Sequence, residues 1–595
     1  MEVPRIPETA PFSAEQRAWL NGFLAGLLSA GSASPQSSPR PQVESREGRE
    51  PLLVLYGSQT GSAEGLAKRF ADQARQRGFA PAVFPLYDYE KAGLLTANTA
   101  VIISSTWGDG DPPENAARFW DWIGAETAPR LERLSFAVLG LGDQSYADFC
   151  GAAKKFDARL EALGATRLVP RGECDVDFEP TANAWMGALW EKLGAAGGVV
   201  GLEAAFGVNG RPRNGHAVIA GAPTYGRSHP FPARLLRNEL LSKPGSAKEV
   251  RHFEFDLDGS GLTYEPGDAL GVVPANCPEA VDELIAALRS SPEHMVNVRG
   301  SVMALRDALT WRFDLNKPSP ELLAAVAKAA PASEVATWLA SENREGLTRW
   351  LHGRGVLDLL GLLDAPPPVA DFLRWLRHLT PRLYSIASSP RAHAGQVHLT
   401  VSAVRYQAHG RARKGVASTY LADRVGEGGC VQIFVQPSPG FRPPRDGDTP
   451  MIMVGPGTGI APFRAFLEER QATGAGGGNW LFFGDQRRAT DFLYEDQIVA
   501  WQQSGLLRRL DVAFSRDQAS KLYVQHRMAE HAAELWSWLE TGAHFYVCGD
   551  AARMAKDVEA ALHRVIETAG GRNEADAQAY VAAMKSAHRY QRDVY

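Results

Sequence analysis

The chain has 595 residues, 45% of them hydrophobic and 22% charged, with a net charge of −5. That length is too great for one core, so three or four domains are expected, and the acidic balance argues against a general nucleic-acid binder. The five cysteines (Cys150, Cys174, Cys277, Cys430, Cys548) are scattered with no Cys-x-x-Cys pair, which argues against a disulfide framework, a zinc site or an iron–sulfur centre and suits a reducing compartment.

Residues 1–50 open with one expected helix. Ser13 is a suitable N-cap with Gln16 in the capping-box position, and Trp19, Leu20, Phe23, Leu24, Leu27 and Leu28 follow helical spacing. Glu2 and Glu8 precede this run and no basic segment leads it, unlike a signal peptide. Two readings stand: a helix that docks on a partner or a second copy, and an ordinary core helix. Residues 31–50 are rich in Ser, Pro, Gly and charge, and read as a flexible tether.

Residues 51–195 alternate strands and helices. Apolar runs at 52–56, 83–86, 100–104 and 135–139 read as buried strands, 167–169 as a closing strand and 63–77 as a helix. The pattern implies a parallel sheet with helices on both faces, whose ligands sit at the carboxyl ends of the strands. Three loops fall there. Ser58, Gln59, Thr60, Gly61, Ser62 and Ala63 offer hydroxyls and N–H groups at a helix N-terminus, a phosphate seat, without the Gly-Lys-Ser/Thr of a nucleotide triphosphatase. Ser105, Thr106, Trp107 and Gly108 begin the second loop. Leu141, Gly142, Asp143, Gln144, Ser145, Tyr146, Ala147, Asp148, Phe149 and Cys150 make the third. Each of these two sets an aromatic among small residues, suited to a flat ring. The rim is acidic (Asp109, Asp111, Glu114, Asp143, Asp148, Glu173, Asp175, Asp177, Glu179), either a solvated face or one that steers a basic partner. Residues 196–214 read as a hinge.

Strand patterns occupy 215–276 and 377–446, interrupted by helical spacing over 277–376. Arg382, Leu383, Tyr384 and Ser385 lie on a strand that can set a cation, a ring and a hydroxyl against a flat ligand. A run at 398–406 carries Thr400, Val401, Ser402 and Tyr406, and Gly415, Val416, Ala417 and Ser418 enter a helix, a diphosphate seat. Residues 447–595 form a second nucleotide unit. A strand at 451–454 leads to the Gly-rich turn with Gly457 and Thr458, whose glycines let backbone approach a pyrophosphate. Further strands are expected at 480–483, 511–514 and 544–547. Ser515, Arg516, Lys521 and Tyr523, with Gln525, place a hydroxyl, a guanidinium, an ammonium and a phenol near one strand end, which suits a 2′-phosphate and hence NADP.

Residues 51–195 resemble a flavodoxin, with Ser58 to Ala63 as the FMN phosphate loop and Trp107 and Tyr146 flanking the flavin. Trp107 stands where relatives often carry Gln or Tyr, and Ser62 where they carry Asn. Residues 215–595 resemble the ferredoxin–NADP reductase family, with the helical insertion of the diflavin reductases. The resemblance implies an architecture of an α/β flavodoxin-like domain, a β-barrel FAD domain with a helical connecting insertion and an α/β NADP domain. It assigns Arg382 to Ser385, Thr400 to Ser402, Tyr406 and Gly415 to Ser418 to FAD, and Gly457, Thr458, Ser515, Arg516, Lys521, Leu522, Tyr523, Val524, Gln525 and Asp557 to NADPH. It implies that Tyr595 lies over the FAD ring and swings away for nicotinamide, that Ser385 bonds near flavin N5, and that Asp593 holds Ser385 and Cys548. The N-terminal Gln-x-Ala-Trp-Leu-Asn-Gly-Phe segment, the absence of an apolar membrane-length run and the Arg-Tyr-Gln-Arg-Asp-Val-Tyr ending resemble the flavoprotein subunits of NADPH–sulfite reductases. That implies a siroheme/iron–sulfur haemoprotein (beta) partner, self-assembly through the first helix and a cytoplasmic setting. The alternatives are a diflavin reductase serving another haem or iron–sulfur acceptor, and an assembly protein that has lost its flavins.

Overall fold

A computed structural model describes residues 50–58, 62–90, 92–106, 110–142, 148–175, 178–196, 225–227, 229–341 and 343–595. The expected N-terminal helix, nearly all of the tether and residues 197–214 of the hinge lie outside them, as do Gln59 to Gly61, Trp107 to Asp109 and Asp143 to Ala147.

The first sheet has the order Phe79–Pro85, Glu50–Gly57, Thr99–Ser105, Ser135–Leu141, and Thr166–Arg167 and Gly172–Cys174 both pair with the last of these. Every pairing is parallel. Strands such as Thr99–Ser105 are apolar on both faces because helices cover both. The expected closing strand proves to be two short pieces, because Pro170 has no N–H to give the ladder.

The second sheet is antiparallel, in the order Arg382–Ser385, Ala269–Val273, Cys430–Gln436, Phe231–Leu240, Val250–Asp256, Gln396–Ser402. A bridge between Ile386 and Leu399 joins its first strand to its last, so the sheet closes on itself as a barrel. Its interior holds Phe253, Phe255, Leu270, Val272, Val397, Leu399 and Ile433, all buried. Between Val273 and Arg382 the chain forms helices around a separate core centred on Leu305, Leu309, Leu322, Val356 and Phe372. The run expected at 398–406 is broken: Gln396–Ser402 belongs to the barrel, and Arg405–Ala408 pairs with Arg411–Lys414 in a separate hairpin.

The third sheet is parallel, in the order Arg509–Phe514, Asn479–Asp485, Met451–Val454, His544–Gly549, Tyr590–Val594. Strand order reverses at Met451–Val454, and the crevice beyond the carboxyl ends there is where a nucleotide binds in such sheets. Helix Ala461–Thr473 returns from this strand and packs on the polar outer face of the barrel. The Arg464 guanidinium, buried, bonds the Ala387 carbonyl and pairs with Glu468 at 2.8 Å. Beneath it lie His252 and His398, which burial lowers to about 3 and about 2, so both are neutral. Candidate ligand atoms of His252, Glu254 and His398 lie within 4.8 Å of one another. Their nitrogens already meet Tyr494, Glu254 and Gln396, and the Arg464 cation stands 3.5 Å from His398 Nδ1, which opposes a metal ion and makes the trio a sealed interface. No helix among the described residues is long and apolar enough to cross a membrane.

Candidate active site

Four strand ends of the first sheet are tied together. Ser105 Oγ donates to the Gly57 carbonyl at 3.3 Å, Thr106 N–H to Leu141 O at 2.9 Å and Gly142 N–H to Cys174 O at 2.9 Å. Ser58 N–H donates to Asn115 Oδ1 at 2.8 Å. The Thr106 hydroxyl is buried with no partner among the described residues. A buried hydroxyl of this kind is expected to have a partner, and a flavin phosphate or ring carbonyl at these loops fits it. Asp148 packs against Gly110, where φ is +119° and a Cβ would lie 2.3 Å from the Asp148 carboxylate. Asp148 therefore closes the loop base. Phe149 lies beside Gly142, and Cys150 is buried at the start of helix Gly151–Ala162, with burial pushing its thiol up to about 12. Among the described rim acids, Asp111 pairs with Lys155, Glu173 with Arg171 and Glu179 with Arg69.

The barrel and the third sheet share a cleft made of two adjoining cavities. The smaller, about 360 Å³, is lined by Arg382, Leu383, Tyr384, Ser385, Thr400, Val401, Ser402 and Gly415 to Ser418, joined by Val404, Thr458, Ala461 and Tyr595. Antiparallel pairing with Ala269–Val273 sets Arg382 and Tyr384 along this wall. Arg382 is steadied by Thr380 Oγ1 at 2.7 Å and by Asp314 of the insertion at 3.5 Å. Gly415 N-caps the helix Val416–Thr419, and a Cβ there would lie 2.7 Å from Ser418 Oγ, so only glycine leaves the amide end open to a diphosphate. These groups fit FAD. Tyr406 is outside this lining, on the hairpin, 43% exposed and beside His352.

The larger cavity, about 800 Å³, lies over the carboxyl ends of the third sheet. Gly457 and Thr458 of the glycine turn, Ser515, Tyr523, Val524, Gln525, Asp557 and Tyr595 line it, all expected from the sequence. Lys248, Asp485 and Arg553 line it too and were not expected; Lys248 comes from the barrel. A Cβ on Gly459 would lie 2.2 Å from Cys548 O, so the turn fits only with glycine there. Arg516 and Lys521 are exposed in the loop between Ser515 and Tyr523, outside the lining, and Leu522 packs against the core. The dimensions and the glycine turn fit a dinucleotide.

The two cavities meet at a cluster spanning both units. Parallel register sets Cys548 opposite Asp593. Ser385 Oγ donates to Asp593 Oδ2 at 2.6 Å, and Cys548 Sγ lies 3.8 Å from the same oxygen. Burial holds the Asp593 carboxyl above its usual range, with the Ser385 and Cys548 donors opposing, and burial beside Asp593 keeps Cys548 a neutral thiol. Tyr595 continues from the edge strand, its N–H on Gly549 O at 3.1 Å and its hydroxyl 2.9 Å from Thr458 Oγ1. Its ring lines both cavities and stays 64% exposed, so it partitions them without being packed in place.

Three family models match in order: flavodoxin over residues 54–185, FAD binding domain over 223–420 and oxidoreductase NAD-binding domain over 453–560. Among curated proteins, the chain is 44% identical to the sulfite reductase [NADPH] flavoprotein alpha-component of Bacillus subtilis, covering 98% of this chain and 95% of that one. It is 42% identical to that of Vibrio cholerae, covering 98% and 94%, and 40% identical to that of Mannheimia succiniciproducens, covering 100% and 99%.

Proposed function

We infer function from this premise: the chain belongs to the family of sulfite reductase [NADPH] flavoprotein alpha-components. It is an NADPH-dependent diflavin oxidoreductase, the flavoprotein component of a sulfite reductase, and passes electrons from NADPH through FAD and FMN to a haemoprotein partner. NADPH supplies two electrons as hydride, and the paired flavins allow them to leave singly.

Each residue role is part of the proposal. Arg382, Tyr384, Thr400 to Ser402 and Gly415 to Ser418 hold FAD, with Tyr406 at its outer end. Gly457, Thr458, Ser515 to Arg516, Lys521 to Gln525 and Asp557 hold NADPH. Ser58 to Ala63, Ser105 to Gly108 and Leu141 to Cys150 hold FMN. Asp593 fixes the Ser385 hydroxyl toward the smaller cavity and keeps Cys548 protonated beside it. Tyr595 excludes water from the junction and turns out of the way when nicotinamide enters. The observation that carries the reading is the junction itself: two cofactor-sized cavities share one ring, Tyr595, above the Ser385–Asp593–Cys548 contact.

The finer assignment has the partner as a siroheme/iron–sulfur (beta) subunit that reduces sulfite to sulfide. The expected N-terminal helix with Trp19 to Leu28 mediates self-assembly and the setting is the cytoplasm; five free cysteines are consistent with that compartment. The division into 51–195, 215–276 with 377–446, 277–376 and 447–595 is supported by the three large sheets and one helical core. The test is sulfide production from sulfite and NADPH with the haemoprotein from the same source added or omitted. Sulfide only with both proteins is expected. Reduction of ferricyanide without sulfide would assign a different acceptor.

A further inference from the structure

At the floor of the larger cavity, Lys248 of the barrel reaches Asp485, the last residue of strand Asn479–Asp485, with Nζ to Oδ1 at 2.6 Å. Oδ1 also accepts the Gln486 N–H at 2.7 Å. The Asp485 side chain has no exposure, and its second oxygen, Oδ2, is buried without a donor among the described residues. That oxygen faces the glycine turn: a Cβ on Gly457 would stand 3.7 Å from it. Burial raises the carboxyl, with Lys248 acting against the shift. The Asp485 backbone is joined to the next strand end, its carbonyl accepting the Ser515 N–H at 2.9 Å.

A buried acceptor without a donor is costly, and such groups in native proteins are expected to find one. The missing donor must come from what enters the cavity. Of the groups on a phosphorylated dinucleotide, phosphates at neutral pH bring acceptors only, and a carboxylate would repel them. Ribose hydroxyls bring donors. The end of the site that holds Ser515 is the one whose hydroxyl suits a 2′-phosphate, and Asp485 adjoins it. The donor that the same ribose still carries is its 3′-hydroxyl.

We propose that Asp485 is a positioning residue for NADPH: its free oxygen accepts the 3′-hydroxyl of the adenosine ribose, while Lys248 cancels its charge toward the phosphates. This rests on NADPH occupying the cavity. The pairing lets an acid sit at a strand end where an unopposed carboxylate would exclude a 2′-phosphate.

The experiment compares 2′,5′-ADP with its 3′-deoxy analogue by calorimetry on the oxidised, flavin-loaded protein. The wild type should bind the deoxy analogue about tenfold more weakly, the scale of a hydrogen bond to a charged group. Asp485→Leu should bind the two alike, and Asp485→Asn, which keeps an acceptor, should restore part of the difference. Lys248→Met should weaken both probes and leave their ratio unchanged. Equal binding by the wild type, or discrimination that survives in both Asp485 variants, would overturn the inference alone. A wild type that binds neither probe would remove the NADPH reading of the cavity with it.

Discussion

Asp593 and Ser385 are 208 residues apart in the chain, yet the serine hydroxyl donates to the carboxylate at 2.6 Å across the seam between barrel and third sheet. The bond forms only when the two units are docked, so it reports assembly of the site as well as orientation within it.

Asp593→Ala leaves the Ser385 hydroxyl unoriented. Hydride transfer from NADPH, followed as flavin bleaching in stopped flow, should slow on the order of 100-fold, the cost of small misplacement at a reacting centre. An unchanged rate would rule out the positioning role.

The same carboxyl fixes a pH dependence. Its folded pKa is raised by burial, so between the unfolded value, about 3.9, and the folded one the native state holds more protons than the unfolded state. Stability therefore falls as pH rises through that window and stays reduced above it. Asp593→Asn removes the titration, and its Tm relative to the wild type should be higher at about pH 8 than at about pH 4.

Tyr595 stands between the cavities, exposed, with its backbone bonded to Gly549 and Ala551 and its hydroxyl in contact with Thr458. Tyr595→Ala should tighten NADP⁺ binding about two- to tenfold, because nicotinamide no longer has to displace the ring, aromatic stacking being worth about 0.5–1.5 kcal/mol beyond buried area. Equilibrium titration would show it, and unchanged or weaker binding would count against the partition.

Thr106 has a buried hydroxyl without a partner among the described residues. Thr106→Val keeps the shape and removes the hydrogen bond. FMN affinity of the flavin-stripped protein should fall about fivefold, near 1 kcal/mol, with FAD retention unchanged.

Arg516 and Lys521 are exposed beside the cavity. The double Ala variant should lose NADPH affinity on the order of 100-fold at low salt and lose little affinity for NADH, since each charge-assisted bond to a phosphate is worth about 1.5–3 kcal/mol. Parallel titrations of the two nucleotides decide it.

The strand–loop–helix units were legible because buried strands are continuous apolar runs and their loops begin where hydroxyls and glycines replace them; Ser105, Leu141 and Gly457 stand at such points. Strand Tyr590–Val594 was hidden by its own composition. Its Gln, Arg and Asp resemble a tail, and only pairing with His544–Gly549 makes it the edge of a sheet. Lys248 and Asp485 were illegible for another reason. They are 237 residues apart, neither lies in a motif, and their meaning appears only when the barrel docks on the third sheet. Barrel closure was likewise a property of register: nothing local in Ile386 or Leu399 announces their bridge.

The barrel strands Ala269–Val273 and Arg382–Ser385 are neighbours, with the whole helical insertion between them. Closing a floppy segment of about 100 residues would cost about 4 kcal/mol of chain entropy. The insertion has its own core, so once folded it is a splint that delivers both ends to adjacent positions. Core mutations such as Leu309→Ala, far from any cofactor, would then surface as slow or incomplete barrel closure and as poor flavin loading during biogenesis, a defect of assembly yield with normal turnover in the molecules that do close.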